Sequence, residues 1–298
     1  MLRLEVAGQG AAQLELPRGP AKPGAVRFVA LGDAGTGGKS QQRIADRMAI
    51  FHTERPFDTV ILLGDNIYPN GRASDLPGKF ERPYAELLSR GVLFYAALGN
   101  HDVRQGREAQ INYKLFNMGG RAYYSFSKED NLVEFFVADS TKFDDEQLRW
   151  LEGALKRSTA RWKIAYLHHP LYSSGTRHGS SEALRFRVEP LFVRYKVAAV
   201  FSGHDHFYER TLPQQQVQYF VSGAGGKIRR GNINRRSRFF AAGNDDTNSF
   251  VYVEAVEDQL TFWAIDESGN VLDSGTIAPR RALQSRTASW TFDKILGG

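Results

Sequence analysis

Five apolar segments of this 298-residue chain end in side chains that can bind a metal ion. They are FVALGDAG with Asp33, VILLGDNIY with Asp65 and Tyr68, FYAALGNHD with Asn100, His101 and Asp102, IAYLHHP with His168 and His169, and AVFSGHDH with His204 and His206. Carboxylates, an amide, a phenol and imidazoles together suit hard or borderline metals such as Fe, Mn and Zn. Because ligands bind at the carboxyl ends of strands in α/β sheets, we expect the five segments to converge on one edge.

The histidines are concentrated in these same segments. Six of the seven lie between residues 101 and 206, and five of those six belong to the strand-end segments. His204 and His206 are two residues apart, so an extended backbone would direct both side chains to one side. His168 and His169 are adjacent, so the same alternation predicts that they diverge and that one of them binds. A lone Gly-Asp pair is common in turns, and the prediction of a metal site depends on the joint pattern.

The elements that must position these residues alternate along the chain. Apolar, β-branched or aromatic runs predict strands near 25–31, 59–63, 92–98, 132–138, 162–168, 197–202, 217–222, 249–255 and 259–265. Helix-like stretches cover 40–53, 78–90, 105–116, 144–158 and 181–195. Alternation up to about residue 200 favours parallel pairing, and the closely spaced strands after it favour an antiparallel portion. We predict an α/β fold with two packed mixed sheets flanked by helices, although periodicity alone does not exclude one large sheet.

The length is compatible with one large domain and appendages. We assign 23–278 to a catalytic domain and 279–298 to a basic C-terminal tail. Residues 1–22 are predicted to form an N-terminal strand extension and linker, because short alternating apolar patches precede Pro17-Arg18-Gly19-Pro20.

Composition excludes several classes of protein. The 42% hydrophobic and 24% charged residues are typical of a globular chain. No apolar run approaches the roughly 18 residues of a membrane span, so we expect no integral membrane protein. The absence of Cys excludes disulfides, thiolate zinc sites and cysteine nucleophiles. The first residues lack the apolar core of a secretory leader, so the protein is expected either to stay in the cytoplasm or to have lost a leader and be secreted or periplasmic.

The positive charge is local. The formal net charge is +6, yet residues 227–238 alone carry six basic and no acidic groups, and 279–298 adds a net +3. Nucleic acid is therefore not expected as a partner. Either segment could steer an anionic substrate, or form a solvated loop and a frayed tail.

The five segments, in this order and spacing, resemble the conserved blocks of the calcineurin-like dinuclear metallophosphoesterases, whose fold is an αββα sandwich. Common members begin with Asp-x-His, but Gly35 stands at the third position here. Asp-x-Gly combined with Gly-Asp-x-x-Tyr, ending at Tyr68, resembles the purple acid phosphatases. An anionic phenolate in place of an imidazole favours a trivalent ion, so Fe(III) is the expected occupant.

The resemblance implies a ligand set. Asp33, Asp65, Tyr68 and His206 would hold the first metal. Asp65 would also bridge to a divalent ion, Fe, Zn or Mn, held by Asn100, His168 and His204. The family's pattern is a ligand, one other residue and then proline. His168 is therefore preferred to His169, which directly precedes Pro170.

The resemblance also implies the reaction. A binuclear centre would hydrolyse small-molecule phosphate monoesters by attack of a metal-bound hydroxide, with an acid optimum. His101 is the candidate general acid and Asp102 the candidate group that orients or charges its imidazole. His178 resembles a substrate-site histidine of the family, although its spacing from His168 is one residue longer than in the animal enzymes. The physiological substrate and the oligomeric state are not predicted.

Three alternatives stay open at this point. Residues 33–40 match the phosphate-binding loop of NTPases except that Asp33 replaces the first glycine. A Mn- or Zn-dependent phosphodiesterase of the same fold would leave Tyr68 idle. A non-catalytic protein could retain the fold for partner binding.

Overall fold

The computed structural model describes residues 24–280. The predicted extension and linker over 1–22, and the predicted tail beyond residue 280, lie outside the described residues. The last strand described ends at Ile277.

The described chain alternates strands and helices and then continues as strands. The strands are β1 (Val26–Leu31), β2 (Thr59–Leu62), β3 (Leu93–Ala96), β4 (Tyr124–Lys128), β5 (Val133–Val137), β6 (Trp162–Tyr166), β7 (Ala199–Ser202), β8 (Tyr208–Thr211), β9 (Gln218–Ser222), β10 (Phe240–Asn244), β11 (Ser249–Ala255), β12 (Leu260–Asp266) and β13 (Val271–Ile277). The α-helices are α1 (Lys39–Glu54), α2 (Ala85–Ser89), α3 (Arg107–Ile111), α4 (Asp145–Arg157) and α5 (Glu182–Arg194). Short 3-10 turns cover Ala73–Asp75, Asp102–Arg104 and Lys114–Phe116, and a π turn covers Pro77–Glu81.

The strands form two mixed sheets. The first has the order β13-β12-β11-β1-β2-β3, with β1, β2 and β3 parallel and the other pairs antiparallel. The second has the order β10-β8-β9-β7-β6-β5-β4, with β5, β6, β7 and β9 parallel. The predicted architecture of two mixed sheets is confirmed, and a single large sheet is excluded.

The two sheets bury their facing sides against each other. The ring of Phe28 in β1 lies 5.0 Å from that of Phe135 in β5 and 5.9 Å from that of Phe201 in β7. The next residue of β5, Phe136, points the other way and joins an apolar cluster with Leu155 of α4 and Phe192 of α5. Alternate side chains of one strand therefore build the core between the sheets and the layer under the outer helices.

The parallel strands deliver the predicted ligands to one edge. Asp33 follows the end of β1 by two residues, Asp65 follows β2 by three and Asn100 follows β3 by four. On the second sheet, His168 and His204 each follow the end of a strand, β6 and β7, by two residues. All five positions belong to carboxyl ends, as ligand sites of such sheets do.

Several predicted elements differ from the observed ones. All nine predicted strands exist, but β4, β8, β10 and β13 were not predicted. The predicted helix over 78–90 is instead the π turn Pro77–Glu81 followed by α2, with Pro83 between them. The predicted helix over 105–116 ends early in α3, because Asn112 bonds the Glu108 carbonyl through its side chain. Antiparallel pairing is not restricted to the end of the chain, since β4 pairs antiparallel with β5.

Among the described helices, none is long and apolar enough to cross a lipid bilayer.

Candidate metal centre

One half of the cluster joins Asp33, Tyr68 and His206. The Tyr68 hydroxyl donates a hydrogen bond to Asp33 Oδ1 at 2.9 Å and lies 3.2 Å from His206 Nε2. The same imidazole nitrogen lies 3.5 Å from Asp33 Oδ1. Asp33 and Tyr68 are buried. The polar ends of three side chains that are far apart in the sequence are thus within 3.5 Å of one another.

The other half joins Asp65, Asn100, His168 and His204. His168 Nε2 lies 3.5 Å from Asp65 Oδ1, 3.1 Å from Asn100 Oδ1 and 3.1 Å from His204 Nδ1. Donor atoms of Asp33, Asp65 and His168 lie within 4.8 Å of one another. The two halves are therefore contiguous, and the structure brings all seven predicted ligands into one cluster.

Tight turns beyond the strands make this convergence possible. Asp33, Asp65 and His204 have left-handed backbones, with φ of 57°, 53° and 72°. Non-glycine residues rarely adopt this conformation, and it occurs often at functional sites. The prediction of an extended backbone at His204 and His206 was therefore wrong, although both side chains reach the pocket. The backbone N–H of His204, which follows β7 of the second sheet, donates to Asp33 Oδ2 at 2.8 Å. This hydrogen bond connects that loop to Asp33, which follows β1 of the first sheet.

The donor set fits a cation. The Leu63 carbonyl can only accept, so His168 Nδ1 donates to it at 2.9 Å, and the ring, once it is neutral, presents the lone pair of Nε2 to the cluster. That lone pair faces the Asn100 amide oxygen, another acceptor, at 3.1 Å. A bound cation satisfies both atoms, and the Leu63 contact fixes the imidazole in the orientation that metal ligands need.

Electrostatics keep the Asp33 carboxylate and the His204 imidazole in the form that binds a metal. Burial raises the pKa of Asp33, but His206, His168 and His204 outweigh it and hold the pKa at about 2. Burial, together with the charge of His168, lowers the pKa of His204 to about 2, so its imidazole is neutral. Burial and the carboxylates of Asp33 and Asp65 raise the pKa of Tyr68 far above its ordinary value. A phenolate at this position therefore requires a strong cation beside it.

The loss of the family's usual histidine has a steric cause. A Cβ at Gly35 would lie 1.6 Å from the Asn66 carbonyl oxygen, which no side chain can tolerate. The Gly35 carbonyl also accepts a hydrogen bond of 2.8 Å from Tyr68 N. The backbone of Gly35 thus lies directly against the backbone of residues 66–68. This contact leaves no space for a side chain at residue 35, and it brings Tyr68 to Asp33.

His101 lies at the open side of the cluster. Its Nδ1 donates to the Pro69 carbonyl at 2.7 Å, and its Nε2 lies 3.9 Å from Asp65 Oδ2. The ring centroid is 4.6 Å from that of Tyr68. The imidazole is partly exposed, and its Nε2 is directed towards the ligands.

Asp102 has a different position from the one predicted. Its buried carboxylate accepts hydrogen bonds from backbone N–H groups and one side chain, namely Asn66 N, Ile67 N, Gly99 N and Gln110 Nε2. The Pro69 carbonyl, not Asp102, orients the His101 imidazole. Neighbours in sequence diverge here because a 3-10 turn starts at Asp102. The carboxylate instead joins the two loops that carry Asp65 and Asn100.

The two further histidines both lie beside His204. The ring of His178 is 4.3 Å from that of His204, and the ring of His169 is 4.5 Å from it. Ligand atoms of His168, His169 and His204 lie within 4.8 Å of one another. The predicted divergence of His168 and His169 was wrong, because both follow the end of β6 and strand alternation does not apply there. His169 Nδ1 also contacts Ser140 Oγ at 2.9 Å.

Lys227 is the residue that sequence reasoning missed. Its ammonium lies 3.4 Å from the centroid of the Tyr68 ring, a cation–π contact. Burial lowers the pKa of Lys227, Asp33 and Asp65 raise it, and Arg229 and Arg104 lower it further. The available signal was the basic run 227–238, but nothing in its spacing pointed to Tyr68.

The loop 33–40 does not serve as a phosphate-binding loop. Asp33 at its entrance is a fully buried member of the ligand cluster, and its carboxylate would repel a phosphate. Lys39, the first residue of α1, is exposed. The NTPase interpretation was therefore wrong.

Comparison with known proteins agrees with this geometry. The calcineurin-like phosphoesterase family model matches residues 26–208. Purple acid phosphatase 17 of Arabidopsis thaliana is 33% identical in an alignment of 247 residues that covers 72% of this chain and 73% of that protein.

Two solved structures have the same fold. Purple acid phosphatase PPD1 from yellow lupin (Lupinus luteus) superposes with a TM-score of 0.72 at 22% identity, covering 86% of this chain and 55% of the lupin chain. GAP50, the anchor in the inner membrane complex of Plasmodium, superposes with a TM-score of 0.76 at 20% identity, covering 86% and 90%. Because the family match spans more than half of the chain and the Arabidopsis relative is 33% identical over 72% of it, this chain belongs to the calcineurin-like phosphoesterase family and, within it, is a binuclear metallophosphatase of the purple acid phosphatase branch.

Proposed function

We propose that this enzyme hydrolyses small phosphate monoesters at a centre of Fe(III) and one divalent ion, Fe, Zn or Mn, and works fastest in mildly acidic solution. The observation that carries the proposal is the hydroxyl of Tyr68 at 2.9 Å from Asp33 and 3.2 Å from His206. A phenolate adds negative charge where the wider family has a neutral imidazole, and this favours a trivalent ion.

The proposed division of ligands follows the two halves of the cluster. Asp33, Tyr68 and His206 hold the ferric ion. Asn100, His168 and His204 hold the divalent ion. Asp65 would contribute to both sites, and its position supports this role, because its Oδ1 lies 3.5 Å from His168 Nε2 and its carboxylate is close enough to raise the pKa of Tyr68.

These ligands would hold a metal pair whose chemistry, when bound, would be to activate water in mildly acidic solution and to attract the phosphate oxygens. The protein's own residues complete the reaction. His101, fixed through Nδ1 by Pro69, gives the proton on Nε2 to the leaving oxygen of the ester. Asp102 keeps the loops of Asp65 and Asn100 together. His178, exposed beside His204, contacts the phosphate from the solvent side.

The test is elemental analysis and visible absorption of the purified protein, followed by a pH series with p-nitrophenyl phosphate and bis(p-nitrophenyl) phosphate. We expect iron with a second metal, a phenolate-to-iron absorption band, faster cleavage of the monoester and an optimum below neutrality. Only Mn or Zn, no visible band and faster diester cleavage would instead support the phosphodiesterase alternative. Lys39→Ala is the matched control outside the cluster, and its activity should equal that of the wild type.

A further inference from the structure

Asp205 lies in the sequence between the candidate ligands His204 and His206, and its side chain is fully buried. The backbone N–H of Asp205 donates to the Gly203 carbonyl at 2.9 Å, and that of Phe207 donates to the Asp205 carbonyl at 2.8 Å. Each of these hydrogen bonds closes a turn of three residues. The two histidines are at the centres of the two turns and reach the metal cluster, whereas the carboxylate between them makes other contacts.

The Asp205 carboxylate holds both ends of the loop 173–179. Its Oδ2 accepts a hydrogen bond from Ser173 Oγ at 2.6 Å and another from Gly179 N at 3.1 Å. A Cβ at Gly175 would overlap the same carboxylate, so the middle of the loop also lies directly against it. One side chain therefore fixes the first residue, the last residue and the backbone between them.

The loop 173–179 carries His178 next to this anchor. His178 directly precedes Gly179, and its ring lies 4.3 Å from the ring of His204. The other carboxylate oxygen of Asp205, Oδ1, accepts a hydrogen bond of 3.4 Å from Asn232 in the basic segment 227–238. The position of the His178 imidazole relative to His204 thus depends on a residue that is bonded to both loops.

The turn that contains His204 needs support from its surroundings. Its φ of 72° is left-handed, as in the rare and strained form of the three-residue turn. Such a backbone persists only where several contacts restrain it. The contact of His204 N with Asp33 Oδ2 at 2.8 Å restrains the turn on one side, and the bonds of Asp205 to the loop restrain it on the other. A metal ion bound by the His204 imidazole would restrain the same turn.

We propose that Asp205 is a positioning residue that couples the metal cluster to the loop 173–179, so that metal binding orders the loop and places His178 for the phosphate. The inference rests on the proposed function, in which His178 contacts the phosphate, and names the residue that holds it there. Asp205 touches neither metal nor substrate and acts through His204 on one side and Gly179 on the other. Because such coupling is reciprocal, the contacts of the loop strengthen metal binding by the same factor.

The experiment measures amide hydrogen exchange of the peptide that covers residues 173–179, in protein loaded with iron and zinc and in protein treated with EDTA. In the wild type, metal should slow this exchange about tenfold, the effect of one charge-assisted hydrogen bond. In Asp205→Ala, exchange should be fast in both states, and KM for p-nitrophenyl phosphate should rise more than kcat falls. Asp205→Asn should keep most of the protection, because its amide oxygen can accept from both Ser173 and Gly179.

Ser173→Ala tests the same contact without changing the ligand loop. It should lose part of the metal-dependent protection in the same peptide. Asp273→Ala is the matched control, because the Asp273 carboxylate is also buried and accepts hydrogen bonds of 2.7 Å from Tyr208 and Arg210, away from the loop. Its loop should be protected by metal as in the wild type.

Three results would overturn the inference. They are a wild-type loop whose exchange is independent of metal, metal-dependent protection that is unchanged in both Asp205→Ala and Ser173→Ala, and an equal loss of protection in Asp273→Ala. Hydrogen exchange requires no turnover, so the proposed function can fail separately. A wild type that shows the expected protection but does not hydrolyse the monoester would contradict the proposed function and leave the coupling through Asp205 in place.

Discussion

At the scale of single residues, Tyr68 is the proposed ligand on which the expected identity of the metal depends. Replacing Tyr68 with Phe removes the oxygen that contacts Asp33 and His206 but leaves the ring that packs under Lys227. We expect the visible band to disappear and kcat to fall at least a hundredfold, because the ferric ion loses an anionic ligand. Visible absorption, iron content and monoester turnover measure this.

Tyr113→Phe is the control for Tyr68→Phe. The Tyr113 hydroxyl donates to Glu81 at 2.6 Å, outside the ligand cluster, so its removal should leave colour and turnover unchanged. Full colour in Tyr68→Phe would contradict the assignment of the phenolate.

Gly35 gives a second prediction at this scale, because it occupies the position at which common members of the family have a histidine. Gly35→His in the Tyr68→Phe background should not restore metal binding, since its Cβ would overlap the Asn66 carbonyl at 1.6 Å. Even Gly35→Ala should lower the free energy of unfolding by more than about 4 kcal/mol, the range of exceptional substitutions. Denaturant unfolding and metal analysis test both variants.

The control is Gly38→Ala in the same loop, where an added Cβ would meet its nearest neighbour, Thr36 Oγ1, at 3.5 Å. Its stability should stay close to that of the wild type. A Gly35→His variant that binds iron normally would show that the loop can move away from Asn66.

Residue types at strand ends were enough to find the side chains that cluster at the candidate site but not their neighbours. Asp33 and His168 were predictable because each follows an apolar strand and carries a metal-binding group. The contact of Lys227 with Tyr68 joins distant parts of the chain, so no local pattern reveals it. The role of Asp102 was misjudged because adjacency to His101 was taken for contact, whereas the turn sends its carboxylate to other loops.

At the scale of elements, the loop 173–179 that carries His178 is held by the basic segment. Asn232 is buried, and its Oδ1 accepts hydrogen bonds from Thr176 Oγ1 at 3.0 Å and Arg177 N at 3.1 Å. Its Nδ2 donates to Asp205, the buried residue between two ligand histidines, at 3.4 Å. One amide therefore connects the loop of His178, the basic segment and the loop of His204 and His206.

Asn232→Ala should loosen this loop. We expect the free energy of unfolding to fall by about 1–3 kcal/mol, as for loss of a buried hydrogen-bonding group, and KM to rise more than kcat falls. Trypsin should cut after Arg177 faster than in the wild type. Asn234→Ala, which removes an exposed side chain that bonds only Arg236 N, is the control for all three measurements. Equal cleavage rates in the two variants would show that Asn232 does not hold the loop.

The strands that were not predicted lack the apolar pattern on which prediction depends. β4 alternates serine with aromatic residues, β10 contains two alanines and a glycine, and β13 contains Asp273 and Gly275. Each is an edge strand of its sheet, where one side of the backbone has no strand partner and burial is lower. Their existence follows from pairing with a neighbour, which is tertiary information. β8 is only four residues long, and three of these, Glu209, Arg210 and Thr211, are polar or charged.

At the scale of the whole molecule, the metal cluster spans both sheets. Asp33, Asp65 and Asn100 follow strands of the first sheet, whereas His168 and His204 follow strands of the second. The site is complete only when the sheets have packed together, so a bound metal would stabilise their association. The order of strands across each sheet, by contrast, was not predictable, because it is set by the packing of the buried faces.

Glu209 of β8 makes the stability of the whole molecule depend on pH. Its Oε2 accepts a hydrogen bond from Ser174 N at 2.8 Å, and its buried Oε1 has no partner among the described residues. Burial raises the pKa of Glu209 to about 7; hydrogen bonds from Ser174 oppose the shift, and Asp205 adds to it. The unfolded chain releases this proton near pH 4.5.

Between these two values the folded state therefore binds a proton that the unfolded state has lost, so the free energy of unfolding falls as pH rises and levels off above about pH 7. Glu209→Gln removes this contribution. It should match the wild type below about pH 4.5 and exceed its stability by at most about 3 kcal/mol above pH 7. Urea unfolding across pH, at one fixed metal loading, gives both curves, and the difference between them cancels the pH dependence of the metal ligands. Glu257→Gln is the control, because the Glu257 side chain is 78% exposed, and its free energy of unfolding should change with pH as that of the wild type does. If the free energy of unfolding of Glu209→Gln also changes with pH as in the wild type, the Glu209 carboxyl is ionised in the folded protein and its buried oxygen has a partner such as water.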